Sequence, residues 1–222
     1  MSIWCCSDLH GQKNLYDKIL ETIKPEDTLV ILGDLCDRGK YGYEMMKDAL
    51  SRDNILYLKG NHEDLFVKAA REYKDPANME NENQSLHKAN GGRTTFNCWR
   101  SDGSNMNFIN QIAKLDKSVC YTNTSGKNII LTHSGSLTDP LWDRTHYVRD
   151  KKVEENIIIV HGHTPIPCLM EDRGFNKGIK ITEEYIPFYY NNNQKICIDC
   201  GSAWTNIAVL LNLDTFEKVV IQ

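Results

Sequence analysis

The chain has 222 residues, 41% hydrophobic and 25% charged, with a formal net charge of −4. That length supports one substantial core, and an acidic chain of ordinary globular composition is not built to coat a nucleic-acid duplex. No apolar run is long enough to cross a bilayer and the first residues hold no basic-then-apolar leader, so the expectation is one domain over residues 1–222 in the cytoplasm, with no membrane partner.

In chain order, residues 3–6 form a short apolar run that ends at Ser7-Asp8. Residues 14–23 carry Leu15, Ile19, Leu20 and Ile23 at helical spacing, and Pro25-Glu26-Asp27 breaks that pattern. Apolar runs at 28–32 and 54–58 close on Gly33 and Gly60, and helix-like stretches follow at 43–51 and 63–73. Strand and helix thus alternate three times, which predicts parallel strands covered by helices. Residues 75–90 read as a polar loop with some helix, Asn90-Gly91-Gly92 as a turn, and 106–115 as a helix. Strands then dominate at 119–123, 128–132, 156–160, 194–198, 205–213 and 218–221, with hairpin loops at 122–127 and 214–215. The pattern predicts an α/β fold: two mixed β-sheets packed as a central sandwich, flanked by helices.

Five polar clusters sit at the ends of these apolar runs. They are Asp8-Leu9-His10-Gly11, Gly33-Asp34-Leu35-Cys36-Asp37-Arg38-Gly39, Gly60-Asn61-His62-Glu63, Thr132-His133-Ser134-Gly135 and His161-Gly162-His163-Thr164. Asp8 and His10 are two apart, so in an extended run both side chains face one way. Asp34 and Asn61 follow neighbouring strands, where open α/β sheets form their crevice. Asp8, His10 and Asp34 make one candidate metal set; Asp34, Asn61, His133 and His163 make a second, with Asp34 shared. Mixed nitrogen and oxygen donors without thiolate suit two divalent ions, Mn²⁺ first with Fe or Zn²⁺ as alternatives, roughly 3.5–4 Å apart. Asp37, Arg38 and His62 are left over in these clusters, spare groups suited to binding and breaking a phosphate ester.

The remaining polar groups have plainer readings. The eight cysteines read as reduced thiols, and Cys197-Ile198-Asp199-Cys200, the one C-x-x-C, shows neither a helix start nor a second pair. His161 ends a strand and His87 reads as a solvated side chain. Arg93, His146 and Arg149 have no assigned role.

These clusters resemble the calcineurin-like metallophosphoesterase superfamily. Within it they resemble the phosphoprotein phosphatase branch, above all the compact bacterial and bacteriophage lambda-type Ser/Thr phosphatases. Asn90-Gly91-Gly92 with Thr94 or Thr95, and Leu141-Trp142-x-Arg144, are also similar to segments of the small bacterial members. The resemblance spans Asp8 to about Trp204. It departs at Ser134, where Ala or Gly is usual, and at Ile198-Asp199-Cys200-Gly201, where Ile-Asp-Thr-Gly is usual. The Ser-Ala-Pro-Asn-Tyr segment of the eukaryotic members is absent.

The resemblance implies a dinuclear-metal phosphoesterase that attacks phosphate monoesters directly with a hydroxide held between the cations. Phosphoserine or phosphothreonine in a protein, or a small phosphate ester, would be the substrate; His62 would protonate the leaving oxygen, Asp37 would orient His62, and Arg38 and Arg144 would clamp the phosphoryl oxygens. A symmetrical dinucleoside tetraphosphate hydrolase, which shares much of this motif set, is the nearest alternative; Gly60-Asn61-His62-Glu63 leans slightly to the protein phosphatases, since the tetraphosphate hydrolases often carry Asp where Glu63 stands. A 2′,3′-cyclic nucleotide phosphodiesterase, an inactive scaffold on the same fold and a thiol-redox protein are the others.

Overall fold

The structure, a computed structural model, describes residues 1–73, 81–145, 153–178 and 180–222. Its first sheet is built from β1 (Ile3–Cys6), β2 (Thr28–Ile31), β3 (Ile55–Tyr57), β9 (Ala208–Asn212) and β10 (Lys218–Ile221), in the order β10-β9-β1-β2-β3. β1, β2 and β3 run parallel; β9 pairs antiparallel to both β1 and β10. The second sheet holds β4 (Ser118–Thr122), β5 (Asn128–Thr132), β6 (Ile157–His161), β7 (Phe188–Tyr190) and β8 (Lys195–Cys197), in the order β4-β5-β6-β8-β7. Here β5, β6 and β8 are parallel, with antiparallel β4 and β7 at the edges.

The strands of the first sheet are apolar on both faces because both faces are covered. Along β2 and its extension, Leu29 and Ile31 join one core cluster, while Val30 and Leu32 join another. β9 divides in the same way, with Ala208 and Leu210 in the first and Val209 and Leu211 in the second. The first cluster lies under α1 (Lys13–Thr22), α2 (Gly42–Ser51), α3 (Asn61–Arg71), α5 (Arg93–Ser101) and α6 (Met106–Ala113), with Tyr16, Met46, Phe66, Trp99 and Ile109 at its centre. The second joins the two sheets, meeting Ile129, Leu131, Val160 and Ile196 of the second sheet. α7 (Ile166–Asp172) adds Ile166, Leu169 and Met170 to it. The predicted two-sheet α/β architecture is therefore the observed one.

Local departures from the sequence reading cluster in the middle of the chain. Of the stretch read as a loop at 75–90, residues 75–80 lie outside the described residues. From Glu82 onward it is helical: α4 (Glu82–His87), capped by Asn81, which accepts the Gln84 N–H at 2.8 Å, then a π-helical turn (Lys88–Gly92), then α5. Asn90-Gly91-Gly92 is thus a kink between helices rather than a free turn, and Gly91, at φ 93°, is what admits it. α5 and α7 were not foreseen. The strand expected from 205 begins at Ala208, because 202–205 form the short helical turn α8 (Ser202–Thr205). No helix among the described residues is long and apolar enough to cross a membrane.

Candidate metal centre

Six parallel strands, three from each sheet, bring their carboxyl ends to one place. Asp8 stands two residues beyond β1, Asp34 three beyond β2, and Asn61 and His62 open α3 just after β3. From the second sheet, His133 follows β5 directly and His163 stands two residues beyond β6. All six candidate ligands are buried.

The loops that carry them are tied backbone to backbone. The His10 N–H donates to Asp34 O at 2.9 Å, Gly39 N–H to His10 O at 3.0 Å and Gly162 N–H to His133 O at 2.9 Å. Asp8 and His10 share a face for a different reason from the one expected. β1 ends at Cys6, and both residues adopt left-handed backbone, at φ 55° and 44°. A turn, not a strand's alternation, points them together. The backbone approaches the carboxylates so closely that a Cβ on Gly162 would strike Asp8 Oδ2 and Ser7 Oγ, and one on Gly60 would strike Asp34 Oδ1.

Asp34 lies at the centre. Its Oδ1 is 3.5 Å from His133 Nε2, and its Oδ2 is 3.6 Å from His10 Nε2 and 3.8 Å from His62 Nε2. One carboxylate therefore faces two groups of nitrogen donors, as a bridging ligand must. Asp8 Oδ1 is 4.0 Å from His10 Nε2. Its Oδ2 accepts the Ser7 hydroxyl at 2.5 Å and the His163 N–H at 3.0 Å, which leaves Oδ1 for the centre. Ligand atoms gather within 4.8 Å both as His10, Asp34 and His62 and as Asp8, Asp34 and His133. Asp8 thus groups with His133 as well as with His10.

The imidazole tautomers show that these residues fit cations. His10 Nδ1 lies 3.0 Å from Cys36 O and His133 Nδ1 lies 2.8 Å from Leu32 O. A carbonyl only accepts, so each Nδ1 carries the proton and each Nε2 presents a lone pair. His133 Nε2 then faces the Asn61 side-chain oxygen at 2.9 Å, and His163 Nδ1 faces the same oxygen at 2.9 Å and His133 Nε2 at 3.2 Å. His163 Nε2 is buried with no hydrogen-bond partner among the described residues. The His133 Nε2 lone pair set against the Asn61 oxygen, acceptor on acceptor, is unfavourable for a bare protein and right for a divalent ion between them.

Electrostatics agree. Burial above all lowers His10 to about 3 and His163 to about 2, so both stay neutral and ligand-ready. Burial would raise Asp34, but His133, His62 and His10 outweigh it and hold the carboxyl below its usual range. Burial raises Asp8, with Asp34's charge adding to it. Two buried carboxylates side by side are stabilised as anions by exactly the charge that cations bring.

Beside this centre stands a second constellation. His62 Nδ1 is 2.8 Å from Asp37 Oδ2, so its N–H donates to the carboxylate. The Arg38 guanidinium lies on the other side of the ring, Nη2 3.2 Å from Nε2. Burial lowers the His62 pKa, but Asp34's charge and the bond to Asp37 prevail and raise it. Burial alone would raise Asp37; the hydrogen bonds from His62 and His87 bring it down to about 2. Arg144 is exposed, and its charge reaches His163. Arg93 is exposed at the start of α5. His146 and Arg149 lie outside the described residues.

Two residues need correction or addition. His87, expected to be solvated, is fully buried, its Nε2 3.0 Å from Asp37 Oδ1. Asp199 received no role, yet it stands two residues beyond β8, the same offset as Asp8 from β1 and His163 from β6. It is buried, accepts the Gly201 N–H at 2.8 Å, and is raised by burial and then by the charge of Asp8. Position at a parallel strand end was the signal that could have found it. His161 ends β6 as expected, with Nδ1 3.0 Å from Gly162 O and Nε2 2.7 Å from the Tyr190 hydroxyl. Cys197 and Cys200 are buried and burial pushes both thiols far up, which removes the basis for a thiol-redox reading.

The Calcineurin-like phosphoesterase family profile matches residues 1–198. The chain belongs to this family. Among curated relatives, it is 34% identical over 74 residues to the symmetrical bis(5′-nucleosyl)-tetraphosphatase of Acidovorax ebreus, a match covering 32% of this chain and 26% of that protein. The same-named protein of Delftia acidovorans is 32% identical over 74 residues, again covering 32% of this chain and 26% of that protein. The chain thus spans about a quarter of the length of these curated relatives. Among solved structures, a metallophosphoesterase from Sphaerobacter thermophilus superposes with a TM-score of 0.64 at 15% identity, covering 100% of this chain and 87% of that one. Besides this family membership, the chain carries two buried groups of carboxylates and imidazoles that could hold a divalent metal.

Proposed function

We propose that the chain is a dinuclear-metal phosphohydrolase in which Asp8, His10, Asp34, Asn61, His133 and His163 hold the cations and His62 is the general acid. The observation that carries this reading is the Asp37–His62 pair standing beside Asp34. A scaffold that only bound metal would have no use for a buried carboxylate on an imidazole whose other nitrogen faces the centre. When bound, the cations supply charge that activates a water and neutralises phosphoryl oxygens.

The protein's own groups do the rest. Asp37 accepts the Nδ1–H of His62 and so fixes the ring with Nε2 toward the centre. Its charge favours the imidazolium, whose Nε2–H is transferred to the leaving oxygen as the P–O bond breaks. Arg38, already on the Nε2 side, is placed to take a phosphoryl oxygen in the same pocket. Water is the nucleophile, so no covalent phosphoenzyme forms.

On substrate, the names of the curated relatives support symmetrical cleavage of a dinucleoside tetraphosphate. Glu63, which leaned toward protein phosphatases, loses its weight. It is fully buried, and its carboxylate accepts the Asp34 and Gly60 N–H groups and the Tyr57 hydroxyl rather than facing a substrate. A second reading, phosphoserine or phosphothreonine, has its own support. The general acid matters most for an alkoxide leaving group, which must be protonated, and less for a nucleoside phosphate, which leaves as a stable anion. The deciding experiment strips the protein with EDTA, restores Mn²⁺, and compares diadenosine tetraphosphate with a phosphoserine peptide, a 2′,3′-cyclic nucleotide and 4-nitrophenyl phosphate. Metal-dependent turnover of none of these refutes the proposal. A kcat/KM at least tenfold higher on the tetraphosphate or on the phosphopeptide selects the first or the second reading.

A further inference from the structure

His87 is buried for a reason the sequence around it conceals. Its ring lies between Phe66 and Phe96, with centroids 5.6 and 6.2 Å away. It also packs so tightly on the π-turn that a Cβ on Gly92 would strike it. This slot is apolar, and His87 Nδ1 is buried there with no hydrogen-bond partner among the described residues. An orphaned buried nitrogen is unfavourable, and a phenyl or isobutyl group would fill the space without one. What the imidazole adds is Nε2, which lies 3.0 Å from both oxygens of Asp37.

Asp37 thus accepts two imidazole N–H groups, one from His62 and one from His87. The same segment also grips the backbone of the acid loop. The Asp37 N–H donates to Thr95 Oγ1 at 3.0 Å and the Arg38 N–H to Gly91 O at 3.0 Å. Both loop residues sit in left-handed backbone, at φ 67° and 61°, so the loop is held in place rather than resting there. Of the contacts named from this segment, that of His87 is the one that reaches the carboxylate, which His62 meets from outside the segment.

We propose that His87 is a positioning residue for the general acid: its Nε2–H fixes the Asp37 carboxylate so that His62 keeps its Nε2 aimed at the leaving oxygen. The inference rests on the phosphohydrolase reading. With His87 removed, Asp37 is oriented by one imidazole instead of two, and the His62 ring is free to swing about the single bond that remains. Protonation of the leaving group should suffer, while cation binding should not.

The test compares wild type, His87→Phe and His87→Gln, each loaded with Mn²⁺, on 4-nitrophenyl phosphate, phenyl phosphate and a phosphoserine peptide. Phenylalanine suits the apolar slot but donates nothing; the glutamine amide can still donate to Asp37. Nitrophenolate leaves without a proton, so its turnover should stay within twofold in both variants. For His87→Phe, kcat on the phenyl and alkyl esters should fall by about 10–100-fold, inside the roughly 10²–10⁴-fold contribution of a general acid, with KM little changed. His87→Gln should recover most of that loss. An equal fall on all esters would show a purely structural role, and no fall on any would show that Asp37 needs no second donor; either overturns the proposal. A readout independent of turnover is the downfield ring N–H proton resonance of His62 in the metal-free protein. It should persist in wild type and His87→Gln and exchange-broaden in His87→Phe; an unchanged resonance in His87→Phe also overturns the proposal. If wild-type protein hydrolyses no ester, the phosphohydrolase reading fails, and this resonance still decides whether His87 holds the pair.

Discussion

Glu63 is where sequence and structure give one residue different meanings, and a substitution there measures which is right. At the third position of α3, Oε2 accepts the N–H groups of Asp34 and Gly60, each at 2.8 Å, while Oε1 accepts the Leu35 N–H at 3.0 Å and the Tyr57 hydroxyl at 2.7 Å. It joins the end of β3 to the loop that presents Asp34. Glu63→Gln keeps the shape but removes the charge and turns one oxygen into a donor. The milder placement puts the amide nitrogen at Oε1, where the Tyr57 hydroxyl can turn to accept but the Leu35 N–H meets a second donor. One charge-assisted bond is then lost and three become neutral. At about 1.5–3 kcal/mol for a bond to a charged group and about 1 for a neutral one, the total is about 3–9 kcal/mol. For a chain of this size, at about 2–4 °C per kcal/mol, that corresponds to a fall in Tm of about 6–36 °C. Calorimetry on the metal-free protein reads it directly, and titration calorimetry with Mn²⁺ should show weakened binding because Asp34 is no longer held. Glu63→Asp, one methylene short of spanning both loops, should fail in the same direction. It should leave the ratio of tetraphosphate to phosphopeptide turnover unchanged within twofold. A Tm within 3 °C of wild type for Glu63→Gln, with unaltered Mn²⁺ affinity, would refute the staple. A tenfold swing in substrate ratio for Glu63→Asp would restore the residue as a marker of substrate.

Three further outcomes follow from the same geometry. Asp37→Asn removes a charge that helps raise His62, so the acid is lost at lower pH. The fall of kcat on an alkyl phosphate, which occurs as pH rises through the His62 pKa, should move to the acidic side; a limb that stays in place excludes Asp37 as the partner. Gly162→Ala places a methyl group on Asp8 Oδ2 and Ser7 Oγ and should lower Mn²⁺ stoichiometry from two toward one with the circular dichroism spectrum retained; full stoichiometry would show that the loop yields. His133→Ala deletes a nitrogen that faces both Asp34 and Asn61, and should weaken cation binding by more than the roughly 10–100-fold typical of losing a supporting partner, as measured by competition with a chelating dye.

The candidate site was legible because it is written in residue types. Carboxylates and imidazoles placed after apolar runs identify themselves, and the structure brings Asp8, His10, Asp34, Asn61, His133 and His163 to one place. The alternation of strand and helix up to residue 73 was legible for the same reason, since apolar periodicity reports burial directly. What escaped was the segment after residue 81. Its helices have few apolar residues because one of their buried contacts is polar: His87 is inside to meet Asp37, and a histidine in a polar stretch reads as solvated. Asp199 escaped because its segment, Cys197-Ile198-Asp199-Cys200, is conspicuous for its thiols rather than for the carboxylate between them.

The backbone at the centre was not legible at all. Asp8, His10, Asp34, Asp37, Arg38 and His163 all have φ between 44° and 67°, a region that sequence reading reserves for glycine. At about 1–2 kcal/mol each, six such residues store roughly 6–12 kcal/mol of strain, as much as the whole net stability of a typical domain, about 5–15 kcal/mol. That strain persists only because the surroundings overdetermine it. The Glu63 carboxylate holds the Asp34 N–H, Gly91 O and Thr95 Oγ1 hold the Arg38 and Asp37 N–H groups, and Asp8 Oδ2 holds the His163 N–H. The six left-handed residues follow only three strands, β1, β2 and β6, and left-handed backbone lets the loops after those strands turn side chains toward the centre, where Asn61 and His133 arrive with ordinary backbone. The scaffold residues are therefore as specific to the function as the ligands. Substituting Glu63 or Thr95 should loosen the centre without touching a single atom that faces it.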